Sequence, residues 1–278
     1  MTKHGKGTAF ITGGGSGIGR AIAKAMVARG VHVCVADINY ANAQSVAREC
    51  GAGTQAINLD VRDATAVKDA IESFAATNGQ LDYLFNNAGI AAAGETNDIP
   101  LSEWRKLVDV NLYGVLHGVL AAYPIMLKQG SGHIVNTASL AGLGPAPLFG
   151  PYAMTKHAVV GLSISLRIEA AARGVQVSVL CPAAVETPLL DSENTNDVKI
   201  ASAPNARRFL TALAGPPYSV EKCASEALAA IAENKAVIVL PGRARIAWRL
   251  GRFFPSLVEM ISKSAVADER KKLLSQSS

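Results

Sequence analysis

Thr12-Gly13-Gly14-Gly15-Ser16-Gly17-Ile18-Gly19 joins a short apolar run, Thr8–Ile11, to a segment of helical periodicity, Gly17–Arg29, that carries Ile22, Met26 and Val27. Glycines let the chain turn sharply and bring backbone close to a phosphate. The helix behind them offers free N–H groups and a positive dipole end. The spacing is Gly-x-x-x-Gly-x-Gly, a variant of Gly-x-Gly-x-x-Gly. Alone it is compatible with a purely structural turn. Its place between a strand and a helix points to a dinucleotide pyrophosphate, with Gly13, Ser16, Gly17, Ile18 and Gly19 around it.

Outward from this turn, strand-like and helix-like segments alternate. Apolar runs follow at Val31–Ala36, Gln55–Leu59, Tyr83–Phe85, His133–Asn136, Gln176–Leu180 and Ala236–Leu240, and helical segments at about 40–49, 63–78, 99–128, 152–173 and 219–233. Including the first, the seven runs are apolar throughout rather than alternating, as strands buried on both faces should be. The pattern predicts an α/β fold: a Rossmann-like, doubly wound, seven-stranded parallel sheet in one domain. Residues 1–240 would form that domain, with 188–217 as a mobile insertion over the substrate, and 241–278 a basic amphipathic extension.

Asp37 ends the second run, about twenty residues after the turn, where a carboxylate accepts hydrogen bonds from ribose hydroxyls and repels a 2′-phosphate. Ile38 follows it, and no basic residue stands at the usual local places for holding that phosphate, so NAD rather than NADP is expected. The alternative is that Asp37 only caps the following helix. Asp60-Val61, past the third run, can contact adenine. Asn86-Asn87-Ala88-Gly89, past the fourth, permits close backbone approach.

Tyr152 and Lys156 stand four residues apart, on one helical face. Hydride chemistry on an alcohol needs a base, and an unperturbed Tyr is a poor one near neutrality, with a pKa of about 10. An ammonium about 4 Å away stabilises tyrosinate by up to roughly 4 kcal/mol, about three pKa units. Positive charge on an oxidised nicotinamide adds to this. Ser139, past the fifth run, can hold a substrate oxygen beside Tyr152. Asn111, polar among apolar neighbours, can kink its helix and hold a water that links Lys156 to solvent. Each residue alone has a plainer reading: a surface lysine on an amphipathic helix, a helix cap, a satisfied buried amide. Their joint placement at compatible sheet edges favours catalysis.

Together these residues resemble the short-chain dehydrogenase/reductase family: Thr12-Gly13-x-x-x-Gly17-Ile18-Gly19, Asp60, Asn86-Asn87-Ala88-Gly89, Asn111, Ser139 and Tyr152-x-x-x-Lys156, over about residues 7–240. The resemblance implies an Asn–Ser–Tyr–Lys tetrad. Tyr152 would be the acid/base, with Ser139 orienting substrate. Lys156 would bind the nicotinamide ribose and lower the Tyr pKa, and Asn111 would support a proton relay. It also implies a homodimer or homotetramer built through the helices near 99–128 and 152–173. Val185 and Thr187 match positions that contact the nicotinamide carboxamide. One departure is Pro182-Ala183, where the family usually has Pro-Gly.

The resemblance leaves the substrate open. The stretch Leu140–Phe149 is almost wholly apolar and uncharged, which suggests an apolar secondary alcohol or ketone, steroid- or lipid-like; simple loop packing would produce the same composition. An acyl-carrier ketoacyl reductase is the alternative enzyme, and a catalytically idle NAD-sensing scaffold the alternative outside catalysis.

The net charge of +5 is unevenly placed. Residues 1–205 balance at −1, with 15 basic and 16 acidic side chains; residues 206–278 balance at +6, with 12 and 6. No nucleic-acid motif accompanies this, and no such partner is expected. The four cysteines follow no metal spacing and read as reduced thiols, and no metal is expected. The longest apolar run, Val115–Leu127, is short for a bilayer span, so a cytoplasmic protein is expected. In the tail, Arg245, Arg249 and Arg252 accompany an apolar stripe of Ile246, Leu250, Phe253 and Leu257, with Pro255 kinking or restarting the helix. Such a helix can lie on an anionic membrane, close over the pocket or pack on a second subunit; packing on protein is its commoner fate.

Overall fold

Alternate residues of each strand feed two different cores. Ala9, Ile11, Val33, Val35 and Phe85 belong to one, while Phe10, Cys34, Ala36 and Leu84 belong to the other. Successive strand side chains point to opposite faces, so a strand claimed by both cores must be apolar at every position.

The computed structural model describes residues 7–191 and 198–277. Its strands are β1 (Thr8–Thr12), β2 (His32–Asp37), β3 (Gln55–Asn58), β4 (Tyr83–Asn86), β5 (Gly132–Thr137), β6 (Val175–Pro182) and β7 (Val237–Leu240). They pair in the order β3-β2-β1-β4-β5-β6-β7, every pair parallel. The direction of winding reverses between β1 and β4, and a crevice opens at the carboxyl ends of the strands there.

The helices are α1 (Gly17–Val27), α2 (Tyr40–Cys50), α3 (Ala64–Asn78), α4 (Leu101–Val108), α5 (Gly114–Gln129), α6 (Gly150–Ala170), α7 (Ala206–Ala214), α8 (Val220–Ala232), α9 (Gly242–Phe253) and α10 (Pro255–Ser277). Helices α3, α5 and α6 cover one face through Ile71, Phe74, Val119 and Val159. Helices α1, α2 and α8 cover the other through Ile22, Met26, Val46 and Leu228. The expected doubly wound seven-stranded sheet is present, with element ends shifted by a residue or two.

Three features depart from the sequence reading. Strand β3 is not buried throughout: Gln55 and Asn58 are exposed, because β3 is an edge of the sheet with one neighbour only. The run Val115–Leu127 lies within a continuous helical stretch, Leu101–Gln129, that is long and apolar enough to cross a bilayer by length and composition. Here Val115, Val119 and Met126 of that stretch are buried in a core. The insertion contains a regular helix, α7, that the sequence reading missed; its residues 192–197 lie outside the described residues. The tail forms two helices, and α10 restarts at Pro255 as expected, where a missing N–H costs nothing in a first helical turn. Helix α9 packs on β7 and α10 packs on α7.

Candidate active site

The carboxyl ends of the strands border a cleft of about 1970 Å³. That exceeds the roughly 300–1,000 Å³ of a site for one small ligand. Gly13, Ser16, Gly17, Ile18, Asp37 and Ile38 line one end, with Asp60, Val61, Asn87, Ala88 and Gly89 beside them. Ser139, Tyr152, Lys156, Pro182, Val185 and Thr187 line it further along. Two expected residues do not line it. Gly19 sits beneath the turn, where an added Cβ would lie 2.2 Å from the Gly13 carbonyl oxygen. Asn111 is fully buried behind Lys156 and Gly89.

The turn is shaped by backbone that only glycine adopts easily, at Gly13 (φ +61°) and Gly17 (φ +50°). Thr12 pins it to the end of β4: its Oγ1 accepts from Asn87 N (3.0 Å) and Ala88 N (3.2 Å), while Asn87 Nδ2 donates to Gly13 O (3.1 Å). No side chain caps α1, and its first turn carries no acid. Those N–H groups and the positive end of the helix dipole are therefore available to an anion.

Asp37 Oδ2 accepts from Gly15 N at 2.9 Å, and Oδ1 from Asn39 N at 2.9 Å. It does not cap α2; Asn39 does, through Asn42 N at 3.1 Å. The capping alternative for Asp37 is thereby overturned. The Asp60 carboxylate is engaged by Arg62, whose Nε lies 3.0 and 2.9 Å from its two oxygens. This contact holds Asp60 below the usual carboxylate range. Arg62 lines the same end of the cleft and went unnoticed in the sequence.

Tyr152 and Lys156 lie one turn apart on α6, as their spacing requires. Lys156 is 3% exposed, and its ammonium donates to Thr137 O at 2.9 Å and stands 5.5 Å from the centre of the Tyr152 ring. Burial pushes it down to about 8. Tyr152 departs from the expected direction: burial pushes its phenol above the ordinary value, and a hydrogen bond with Ser139 pulls back only part of that. The ammonium faces the ring rather than bonding the phenolic oxygen, so in this arrangement desolvation outweighs its charge. Ser139 Oγ also accepts from Ala141 N (3.1 Å), which fixes the hydroxyl at the start of a 3₁₀ turn, Leu140–Gly142.

Asn111 lies in a π-helical turn, Asp109–Tyr113, between α4 and α5. Its Oδ1 accepts from Ile90 N (2.9 Å), and its Nδ2 donates to Ile90 O (2.9 Å) and Thr155 Oγ1 (3.2 Å). Both ends of the amide are used to tie the loop after β4 to α6. Ala183, the departure from Pro-Gly, donates its N–H to Leu240 O at 2.8 Å and continues the β6–β7 pairing.

Beyond Tyr152 the cleft ends in a third apolar cluster. Ala93, Leu148, Phe149 and Phe209 are buried there, with Tyr152, Leu210, Leu213 and Val266 packed against them. Helix α10 thus completes a wall that the loop Leu140–Phe149 only begins. Two ion pairs hold it: Arg208–Glu269 at 2.5 Å and Arg270–Glu95 at 2.7 Å. The sequence carried no signal for either pair, because the partners are far apart along the chain.

Comparison with known proteins identifies the family. The sequence pattern described as short chain dehydrogenase matches residues 7–198. The cyclohexanol dehydrogenase of Acinetobacter sp. is 36% identical over 197 residues, 69% of this chain and 78% of the relative. The 3-alpha-(or 20-beta)-hydroxysteroid dehydrogenase of Mycobacterium bovis is 36% identical over 183 residues, 66% of this chain and 70% of the relative. A crystal structure of a short chain dehydrogenase/reductase from Burkholderia phymatum, in complex with NAD, is 32% identical; it superposes with a TM-score of 0.83 over 92% of this chain and 96% of that one.

Proposed function

The chain belongs to the short-chain dehydrogenase family and is an oxidoreductase, and from that premise we propose that it interconverts an apolar secondary alcohol and its ketone with NAD. The observation that carries the reading is one continuous cleft, with Asp37 and an uncapped helix at one end and Ser139, Tyr152 and Lys156 toward the other.

The residues present fit a dinucleotide. Gly13 and Gly17 form a cradle that side chains would fill: a Cβ on Gly13 would lie 2.7 Å from Ala88 Cα. The free N–H groups of α1 suit a pyrophosphate. The Asp37 carboxylate, fixed by Gly15 and Asn39, suits ribose hydroxyls and disfavours a 2′-phosphate. Ile38 and Val61 suit the flanks of adenine, and Pro182, Val185 and Thr187 the nicotinamide end. The Burkholderia phymatum relative, which binds NAD, supports the same choice. Bound NAD would supply the acceptor for the hydride on the carbinol carbon.

Ser139 orients the substrate oxygen, and Tyr152 takes its proton as the C–H bond breaks, or returns it in reduction. Burial raises the Tyr152 pKa, so tyrosinate needs the positive charge that accompanies the oxidised cofactor. Lys156 holds the nicotinamide ribose and supplies a second positive charge beside the ring. Asn111 supports the proton relay by fixing the Ile90 backbone, directly after Gly89, which faces Lys156.

The cluster around Phe149, Phe209 and Val266 offers the substrate apolar contact, and two relatives named for cyclic alcohols support that class. Exposed apolar side chains on α4, α5 and α6, Leu101 (62%), Leu120 (63%) and Ile168 (74%), suit a homodimer or homotetramer. A panel of alcohols with NAD⁺ tests the reading. Turnover of cyclic apolar alcohols that collapses in Tyr152→Phe supports it. Preference for small or charged alcohols sinks the substrate class, and turnover of none leaves a scaffold.

A further inference from the structure

Helix α9 turns an apolar face to solvent. Ile246, Leu250 and Phe253 follow at i, i+4 and i+7 and are 62%, 54% and 78% exposed, opposite buried Ala244 and half-buried Trp248. The face continues over the corner into α10 through Phe254, Leu257, Met260 and Ile261, each about half exposed or more. Seven large apolar side chains in sixteen residues, with two adjacent phenylalanines at the apex, form a patch of a kind that folded chains rarely leave to water.

The charges around the patch identify its partner. Helix α9 carries Arg243, Arg245, Arg249 and Arg252 and no acid. At 100° per residue, Arg245, Arg249 and Arg252 flank the outward stripe on one side and Arg243 flanks it on the other. Arg245, Arg249 and Arg252 make no ion pair among the described residues, and Arg252 rests on the Trp248 ring. The acid within the patch, Glu259, is neutralised by Lys263 at 2.5 Å. An apolar stripe between arginines matches an interface of acyl chains beneath anionic headgroups. A second copy of this face would set arginine against arginine.

The patch is also the rim of the cleft: Leu250, Phe254, Leu257 and Ile261 are at once exposed and part of its lining. We propose that the α9–α10 corner docks on the surface of an anionic lipid bilayer, so that the substrate end of the cleft opens against the membrane. The docking itself does not depend on the oxidoreductase reading; only the passage of an apolar substrate from lipid to cleft does.

Co-sedimentation of the full chain with vesicles tests it. Binding is expected to phosphatidylcholine/phosphatidylglycerol vesicles at low ionic strength, with little to phosphatidylcholine alone. Arg249→Glu should weaken it roughly thirtyfold, the effect of two elementary charges at an anionic surface. Phe253→Asp should weaken it by at least about tenfold. Both side chains are exposed and lie outside the cleft lining, so melting temperature and turnover of a water-soluble alcohol should stay unchanged. Absence of binding to anionic vesicles, or binding that survives Phe253→Asp, overturns the proposal. Self-association abolished by Phe253→Asp without vesicle binding also overturns it and assigns the face to a second copy. Turnover is read separately, so an inactive protein that binds vesicles rejects the enzymatic reading alone.

Discussion

Arg208 on α7 and Glu269 on α10 form a 2.5 Å ion pair in which the carboxylate side chain is 2% exposed and the arginine 35%. The two ends of this bond are not equivalent. Without Glu269, the guanidinium, whose side chain is 35% exposed, can rehydrate in part, its Nε being buried without a partner with or without Glu269. Without Arg208, a carboxylate is left in an apolar setting with its main partner gone, the expensive half of a buried pair. Arg208→Ala is therefore expected to cost about 2–3 kcal/mol of stability, less than a fully buried pair because Arg208 reaches solvent. Glu269→Ala should cost about half that, and Arg208→Met with Glu269→Leu should restore most of the loss. Denaturant unfolding of the three variants decides it. Equal costs for the two single variants would contradict the asymmetry.

Removing the phenol of Tyr152 should leave the fold intact and remove the acid/base. Tyr152→Phe is expected to lower kcat by about 10²–10⁴-fold with cofactor affinity nearly unchanged. Ser139→Ala should also lower kcat and should raise the Tyr152 pKa, since its hydrogen bond is what pulls that value down. The measurement is a pH–rate profile of alcohol oxidation with NAD⁺: the acidic limb, on which activity rises as Tyr152 loses its proton, should move to higher pH in Ser139→Ala, and a stationary limb would mean that Ser139 does not bond the phenol during turnover.

Asp37→Asn keeps an oxygen for the Gly15 N–H but loses the charge. Its KM for NAD⁺ should rise about tenfold, the value of one charge-assisted hydrogen bond, and NADP⁺ turnover should become measurable. Steady-state kinetics with both cofactors is the check; an unchanged preference would remove Asp37 from the discrimination.

His133 is 4% exposed, its ring nitrogen Nε2 lies 2.8 Å from Ser178 Oγ, and burial pushes it down to about 4. The unfolded chain binds this proton near 6.5 and the folded chain does not, so stability is complete above that value and falls as pH drops toward 4. At pH 5 the loss from this one group should be about 2 kcal/mol. Unfolding at pH 7.5 and pH 5 should show it, and His133→Gln should flatten that difference while lowering stability at both pH values.

Much of the fold and the cofactor end was legible because it rests on short spacings. The glycine turn, Asp37 at a strand end and Tyr152-x-x-x-Lys156 are local patterns whose geometry follows from strand and helix periodicity. What was not legible rests on distance and burial. Glu95 and Arg270 meet across 175 positions, and no local rule pairs them. Helix α7 was hidden by the prolines around it, although Asn205 caps it through Arg208 N in the ordinary way. The direction of the Tyr152 shift depends on how much water the fold excludes, and spacing carries no information about that. The π turn at Asn111 fits one more residue than an α-turn would, which composition does not reveal.

The cleft is assembled from opposite ends of the chain. Residues 13–89 build the wall around Asp37, while residues 140–149, 209–213 and 248–270 build the apolar end. The two walls share no element, so diversification has separate handles on them. Changes confined to α7, α9 and α10 can reshape which alcohol enters, while the coenzyme end stays as it is. A library restricted to Leu210, Leu213, Trp248, Val258, Ser262 and Val266 should therefore yield variants that differ in substrate and agree in cofactor.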